Sequence, residues 1–207
     1  MSRPPYKLFS LLLQYPDEPV LQARDEVRKA IESLPKSPER SALVSFFDYF
    51  GSARPVGLQQ QYVETFDLQR RSSLYLTFYS DGDTRKRGQA LVRLKRLYSA
   101  AGLELETREL PDFLPIMLEF ADLAPGDIGK RLLAEHRKAL EVLRLHLEGL
   151  ESPYRHLLHG ICAGLPKLVA AELAAVGDLL KTGPPTEQVG LQPFAPPEVM
   201  PWSDSTR

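Results

Sequence analysis

The chain has 207 residues, with 26 Lys plus Arg against 27 Asp plus Glu, one Cys and 18 Pro. That length suits one domain with a tail and is enough to bury a core without staples. The near-zero net charge excludes a generally basic nucleic-acid binder, and a single Cys excludes an internal disulfide framework and fits a reducing compartment.

Helical periodicity runs through most of the chain, and convincing strand alternation is absent. Leu8, Leu11, Leu12 and Tyr15 share one helix face, and Pro16 and Pro19 are expected to end that helix. Val20, Ala23, Val27, Ala30, Ile31 and Leu34 form the next stripe. Leu43, Phe46, Phe47 and Phe50 form a third, closed by Gly51, and a fourth helix is expected over 58–66. Residues 74–79, LYLTFY, have strand-like composition but no visible pairing partner, so a buried helix or turn is expected. Residues 81–84 supply a turn and an N-cap, including Asp83, for a helix carrying Ala90, Leu91, Leu94, Leu97 and Tyr98 and ending at Gly102. A short apolar helix follows over 112–123, stopped by Pro125-Gly126. Leu132, His136, Ala139, Leu140, Leu143 and Leu147 trace one long helix closed by Gly149, and Pro153 opens a last helix reaching about Leu180, kinked at Pro166.

The expected fold is therefore all-α: a single-domain multi-helix bundle over 1–180, then a Pro-rich tail over 181–207, extended or disordered. No targeting segment is expected. The most apolar stretch, 157–176, carries His159, Pro166, Lys167 and Glu172 and is a poor membrane span. A soluble cytoplasmic protein without membrane insertion is the expectation.

Phosphate loops, nucleophile elbows and paired metal-ligand motifs are missing from the sequence. His156, His159 and Cys162 recur at i, i+3, i+6, but a straight helix spreads those positions around its circumference, which disfavours a shared metal. Gly160 and Gly164 in GICAG more plainly allow close approach of a neighbouring helix. Charge is better organised: residues 84–103 hold six bases and no acid, whereas 104–127 hold seven acids and one base. These blocks are either two solvated faces or an acidic border that recruits a basic partner; acids directly after the basic helix argue against nucleic acid.

Residues 62–88, YVETFDLQRRSSLYLTFYSDGDTRKRG, together with 109–120, ELPDFLPIMLEF, and the opening LLLQYP of 11–16 resemble the NarJ-type nitrate reductase molybdenum cofactor assembly chaperones, within the broader TorD-like group. The resemblance spans most of residues 6–180. It implies a helical bundle that is not an enzyme and binds the N-terminal segment of the catalytic (alpha) subunit of a respiratory nitrate reductase. The client is held competent for molybdenum cofactor insertion before membrane docking. Molybdopterin-guanine dinucleotide and iron–sulfur clusters then belong to the client, the chaperone needs no cofactor of its own, and cofactor-biosynthesis proteins are a second partner class.

That task calls for an apolar groove with an acidic rim. Glu109, Asp112, Glu119 and Asp122 are the expected rim, and Leu114, Met117, Leu118, Phe120, Tyr75 and Tyr79 the expected floor or its support. Asp67, Asp83, Arg85 and Arg87 fall inside the long motif, with capping, ion pairing or client contact as their alternatives. A small helical metal-binding protein or a regulatory adaptor with a different partner remains the alternative function.

Overall fold

A computed structural model of the chain describes residues 4–82 and 84–185. Its helices are α1 (Tyr6–Leu12), α2 (Glu18–Gln22), α3 (Arg24–Ser33), α4 (Pro38–Ser52), α5 (Pro55–Tyr62), α6 (Thr77–Asp81), α7 (Arg85–Ala100), α8 (Leu114–Leu123), α9 (Ile128–Glu135), α10 (Arg137–Gly149), α11 (Arg155–Ala163) and α12 (Ala170–Thr182). The all-α expectation holds: among the described residues the extended pairing amounts to one isolated antiparallel bridge, Tyr75 to Phe113. Asp83 and the tail beyond residue 185 lie outside the described residues.

Prolines open helices more than they close them. Pro38, Pro55 and Pro115 sit in the first turns of α4, α5 and α8, where a missing N–H costs nothing. Pro19, expected to end α1, instead lies in the first turn of α2 behind an N-cap, Asp17, whose carboxylate accepts from the Val20 N–H at 3.1 Å.

Three continuous stripes prove to be interrupted. The second divides at Ala23. The long helix over 132–147 divides at His136, whose Nδ1 lies 2.9 Å from the Leu132 carbonyl, so the side chain reaches the backbone acceptor four residues back. At Pro166 the chain leaves helix altogether between α11 and α12, because Pro lacks the donor and its ring would strike the carbonyl four residues back.

The core is one cluster running from α1 to α12. Its aromatic centre is Tyr154, with Phe46, Tyr62 and Phe66 around it at centroid separations of 5.1, 6.0 and 4.8 Å. α11 packs on α4, α1 on α8, α8 on α9, and α10 on both α11 and α12. Glycine permits two of these approaches. A methyl on Gly160 would lie 2.5 Å from Phe9 Cζ and 2.8 Å from Ala42 Cβ, and one on Gly129 would lie 2.2 Å from Ala121 Cα. Gly82, at φ 58°, turns the chain out of α6 with the Pro185 carbonyl against it. Among the described residues no helix is long and apolar enough to cross a membrane.

Candidate functional site

The two motif segments meet in space. The Leu76 N–H donates to the Asp112 carbonyl at 2.9 Å, and the Leu114 N–H to the Leu74 carbonyl at 2.8 Å, on either side of the Tyr75–Phe113 bridge. Within 74–79 only the stretch around Tyr75 pairs, with the few extended residues before α8, while Thr77, Phe78 and Tyr79 are buried in α6 as the helix expectation had it. Tyr98 Oη donates to the Pro111 carbonyl at 2.7 Å, and Ser10 Oγ to the Pro115 carbonyl at 2.8 Å, tying α7 and α1 to the same crossing.

Under the bridge sits Asp112, with none of its surface exposed. Its Oδ2 accepts from Thr77 Oγ1 and pairs with Arg87 Nη2 at 3.4 Å, while Arg87 Nε donates to Thr77 Oγ1 at 3.3 Å. Asp112 Oδ1 has no hydrogen-bond partner among the described residues. The rim role expected of Asp112 is therefore corrected: a buried carboxylate cannot meet a client from solvent, and this one fastens the second motif to the first. Arg87 takes the ion-pair alternative, leaving one cation of the basic block neutralised by one acid of the next.

Above this node opens a cleft of about 640 Å³. Six aromatic side chains line it: Tyr15, Tyr62, Phe66, Tyr75, Phe78 and Phe113. Tyr75 Oη donates to Glu109 Oε2 at 2.8 Å, and its ring lies tilted against that of Phe113, centroids 5.2 Å apart. The guanidinium of Arg87 lies 5.7 Å from the Tyr75 ring and that of Arg70 5.4 Å from Phe78. Burial, reinforced by the carboxylate of Glu109, pushes the Tyr75 hydroxyl up to about 12 despite the opposing Arg87. It remains a neutral donor at neutral pH. Charge at the cleft is balanced, Asp67 and Glu109 against Arg70 and Arg87.

The cleft wall depends on a backbone irregularity. Residues Val63–Asp67 form a π-turn, closed by the Leu68 N–H on the Val63 carbonyl at 3.0 Å. It keeps Thr65 and Phe66 buried and Asp67 exposed at the cleft edge. Tyr15, Tyr62, Phe66, Arg70, Phe78 and Phe113 escaped the sequence reading as site residues, although all but Tyr15 and Phe113 stand in the long motif. The aromatic residues among them read equally well as core, and Arg70 as an ordinary exposed charge.

Other expected site residues separate from the cleft. Leu114, Met117 and Leu118 are fully buried and Phe120 is 4% exposed, and none of the four lines the cleft. Tyr79 is buried too, its hydroxyl donating to the Arg71 and Ser73 carbonyls, each at 2.9 Å. It braces the segment that carries Tyr75. Glu119 is exposed and Asp122 half-buried on α8, and neither lines the cleft. Arg85 is exposed at the start of α7.

His156, His159 and Cys162 do not converge. His159 Nε2 lies 2.6 Å from Glu148 Oε2, and Cys162 is buried inside α11. Among the described residues no group of three or more His, Cys, Asp or Glu is placed to hold a metal ion.

The molecule is thus an all-α bundle that clamps two sequence motifs around an aromatic cleft, and comparison with known proteins gives its kinship. The nitrate reductase delta subunit family model matches residues 33–159. The chain is 32% identical over 167 residues to the probable nitrate reductase molybdenum cofactor assembly chaperone NarJ of Bacillus subtilis, covering 81% of this chain and 91% of that one. It is 37% identical over 150 residues to the nitrate reductase molybdenum cofactor assembly chaperone NarJ of Escherichia coli, covering 71% of this chain and 63% of that one. A third relative, the nitrate reductase-like protein NarX of Mycobacterium tuberculosis, is 33% identical over 153 residues, 74% of this chain but 23% of that longer protein. The chain belongs to the nitrate reductase delta subunit family, and the NarJ-type resemblance carried by its two motifs is borne out.

Proposed function

We propose that the protein is a non-enzymatic, client-specific chaperone for a respiratory nitrate reductase. It holds the N-terminal segment of the catalytic subunit in the cytoplasm, keeping that subunit competent for molybdenum cofactor insertion before it docks at the membrane. The names of the relatives support the chaperone role. The observation that carries the reading is the cleft, where the two motifs are bolted together by a buried ion pair and line a surface with aromatic rings.

Such a surface suits an amphipathic segment. Tyr15, Tyr75 and Phe113, exposed or half-buried in front of the buried rings of Tyr62, Phe66 and Phe78, offer apolar contact at little conformational cost, and the carboxylates of Glu109 and Asp67 meet Lys or Arg of the incoming chain. In this reading the cofactor and clusters remain with the client. Calorimetry with a synthetic peptide copying the client's N-terminus provides the test. Binding is expected, weakened as salt rises and about tenfold weaker for Tyr75→Ala or Glu109→Lys. Folded protein that takes up no such peptide overturns the proposal.

A further inference from the structure

A second surface lies on α8. The sequence of that helix, LPIMLEFADL, is apolar on nearly every side, and such a helix is normally enclosed. α1 and α9 cover part of it. Ile116, Glu119, Phe120 and Leu123, at i, i+3, i+4, i+7, form a further face, and there Leu123 remains 57% exposed. What covers this face is thin: the irregular segment after α7, where half-buried Leu103 and Leu105 alternate with exposed Glu104 and Glu106. Between segment and helix runs a groove of about 340 Å³, floored by Phe120 and these leucines.

The charge of this groove differs from that of the cleft. Glu104, Glu106 and Glu119 border it, and among the described residues no cation lines it and none of the three carboxylates is in an ion pair. Three unpaired carboxylates around an apolar floor repel one another and favour an occupant that brings cations together with apolar anchors. We infer that this groove is a second docking surface, independent of the cleft. Its occupant is a short basic amphipathic helix of a partner protein, with apolar anchors at helical spacing seated on Phe120 and Leu123 and Lys or Arg facing Glu104, Glu106 and Glu119.

The full chain, isotopically labelled and titrated with a synthetic leucine–lysine amphipathic helix, tests this by amide shift mapping. Shifts are expected over 103–107 and 116–123, with affinity falling about tenfold between about 50 and 500 mM salt. A counterpart with Glu in place of Lys is expected not to bind. Leu123→Lys changes an exposed side chain, so it should fold, and it is expected to weaken binding about tenfold; Glu104→Gln with Glu106→Gln should weaken it without touching the floor. Tyr75→Ala is expected to stay within about twofold of wild type.

Shifts confined to the cleft, equal binding of the acidic peptide, or unchanged affinity in Leu123→Lys overturn the inference. Concentration-dependent shifts in the groove without peptide would make a second copy the occupant and overturn it as well. A peptide copying the client's N-terminus is expected to move cleft amides only. If it moves the groove amides instead, the groove is the client site itself and there is no second surface.

Discussion

Asp112 shows how far a single residue can be read. Its place in the acidic, proline-containing motif points to a binding carboxylate, since acids are mostly exposed. The structure buries it against Thr77 and Arg87, and nothing in the local spacing announces this, because the three residues stand on α6, on α7 and in the segment before α8. Breaking a buried pair by removing one partner leaves the other charge uncompensated, so Asp112→Ala should cost about 3 kcal/mol in urea unfolding. Asp112→Asn keeps an oxygen for Thr77 and should cost less, because Arg87 retains some access to water. Equal stabilities of both variants and wild type would show that the pair is not structural. Cys162 is a different case, a free thiol buried inside α11. Burial pushes its thiol up to about 11, with Arg137 pulling against it, so at pH 8 only about one thiol in a thousand is ionised. Reaction with a disulfide reagent should be slow in native protein and fast once urea unfolds it; rapid native labelling would contradict that burial.

Elements were legible where apolar periodicity decides them. The faces of α4, α7 and α8 lie as Phe46, Leu94 and Leu118 suggest, because each stripe is long enough to fix a helix and its inner side. Interruptions were not legible: the break at His136 comes from a side chain bonding to its own helix, and the π-turn at Val63–Asp67 from one inserted backbone position, neither of which disturbs the sequence of apolar residues. Helix junctions also carry a demand that spacing hides. Gly129 lets α9 approach α8 so closely that Gly129→Ala would press on the Ala121 backbone. A backbone contact cannot rotate away, so about 3 kcal/mol of destabilisation is expected in denaturant titration. Gly177→Ala, with open space around it, should be neutral or slightly stabilising. Within α10, Glu141 accepts from Arg137 at 2.8 Å and from Arg144 at 2.6 Å. Burial alone would raise its carboxyl, but the two arginines outweigh it and hold it below the usual value. A carboxyl lowered on folding stabilises fully above its unfolded value, near 4.5, and loses that contribution as pH falls through the folded value. Glu141→Gln should therefore be least stable relative to wild type at neutral pH, with the gap closing in acid below the carboxylate range. A gap that widens in acid would mean the arginines do not hold the charge.

At the scale of the molecule, the cleft is assembled from distant stretches of chain: Tyr15 after α1, Tyr62 and Phe66 around the π-turn, the 73–78 segment, Arg87 on α7, and Glu109 and Phe113 before α8. Sequence reasoning found the two motifs and their acids but not that they close on one space, since convergence is a property of the packed core around Tyr154 and not of either motif. The same assembly has a thermodynamic consequence. A ligand seated there contacts segments that separate on unfolding, so it binds the folded chain and has no equivalent site in the unfolded one. At a peptide concentration about 100 times its dissociation constant, the folded state should gain about 2.7 kcal/mol. For a chain of this length that corresponds to a rise of roughly 5–11 °C in thermal midpoint. The rise should shrink with added salt if Glu109 and Asp67 meet basic residues, and Asp112→Ala should reduce it beyond its own destabilisation, because releasing the second motif loosens the wall that carries Phe113. Differential scanning calorimetry of wild type and Asp112→Ala, each with and without the client's N-terminal peptide, separates the two contributions. An equal rise in both proteins would mean that the ion pair holds the fold without organising the cleft.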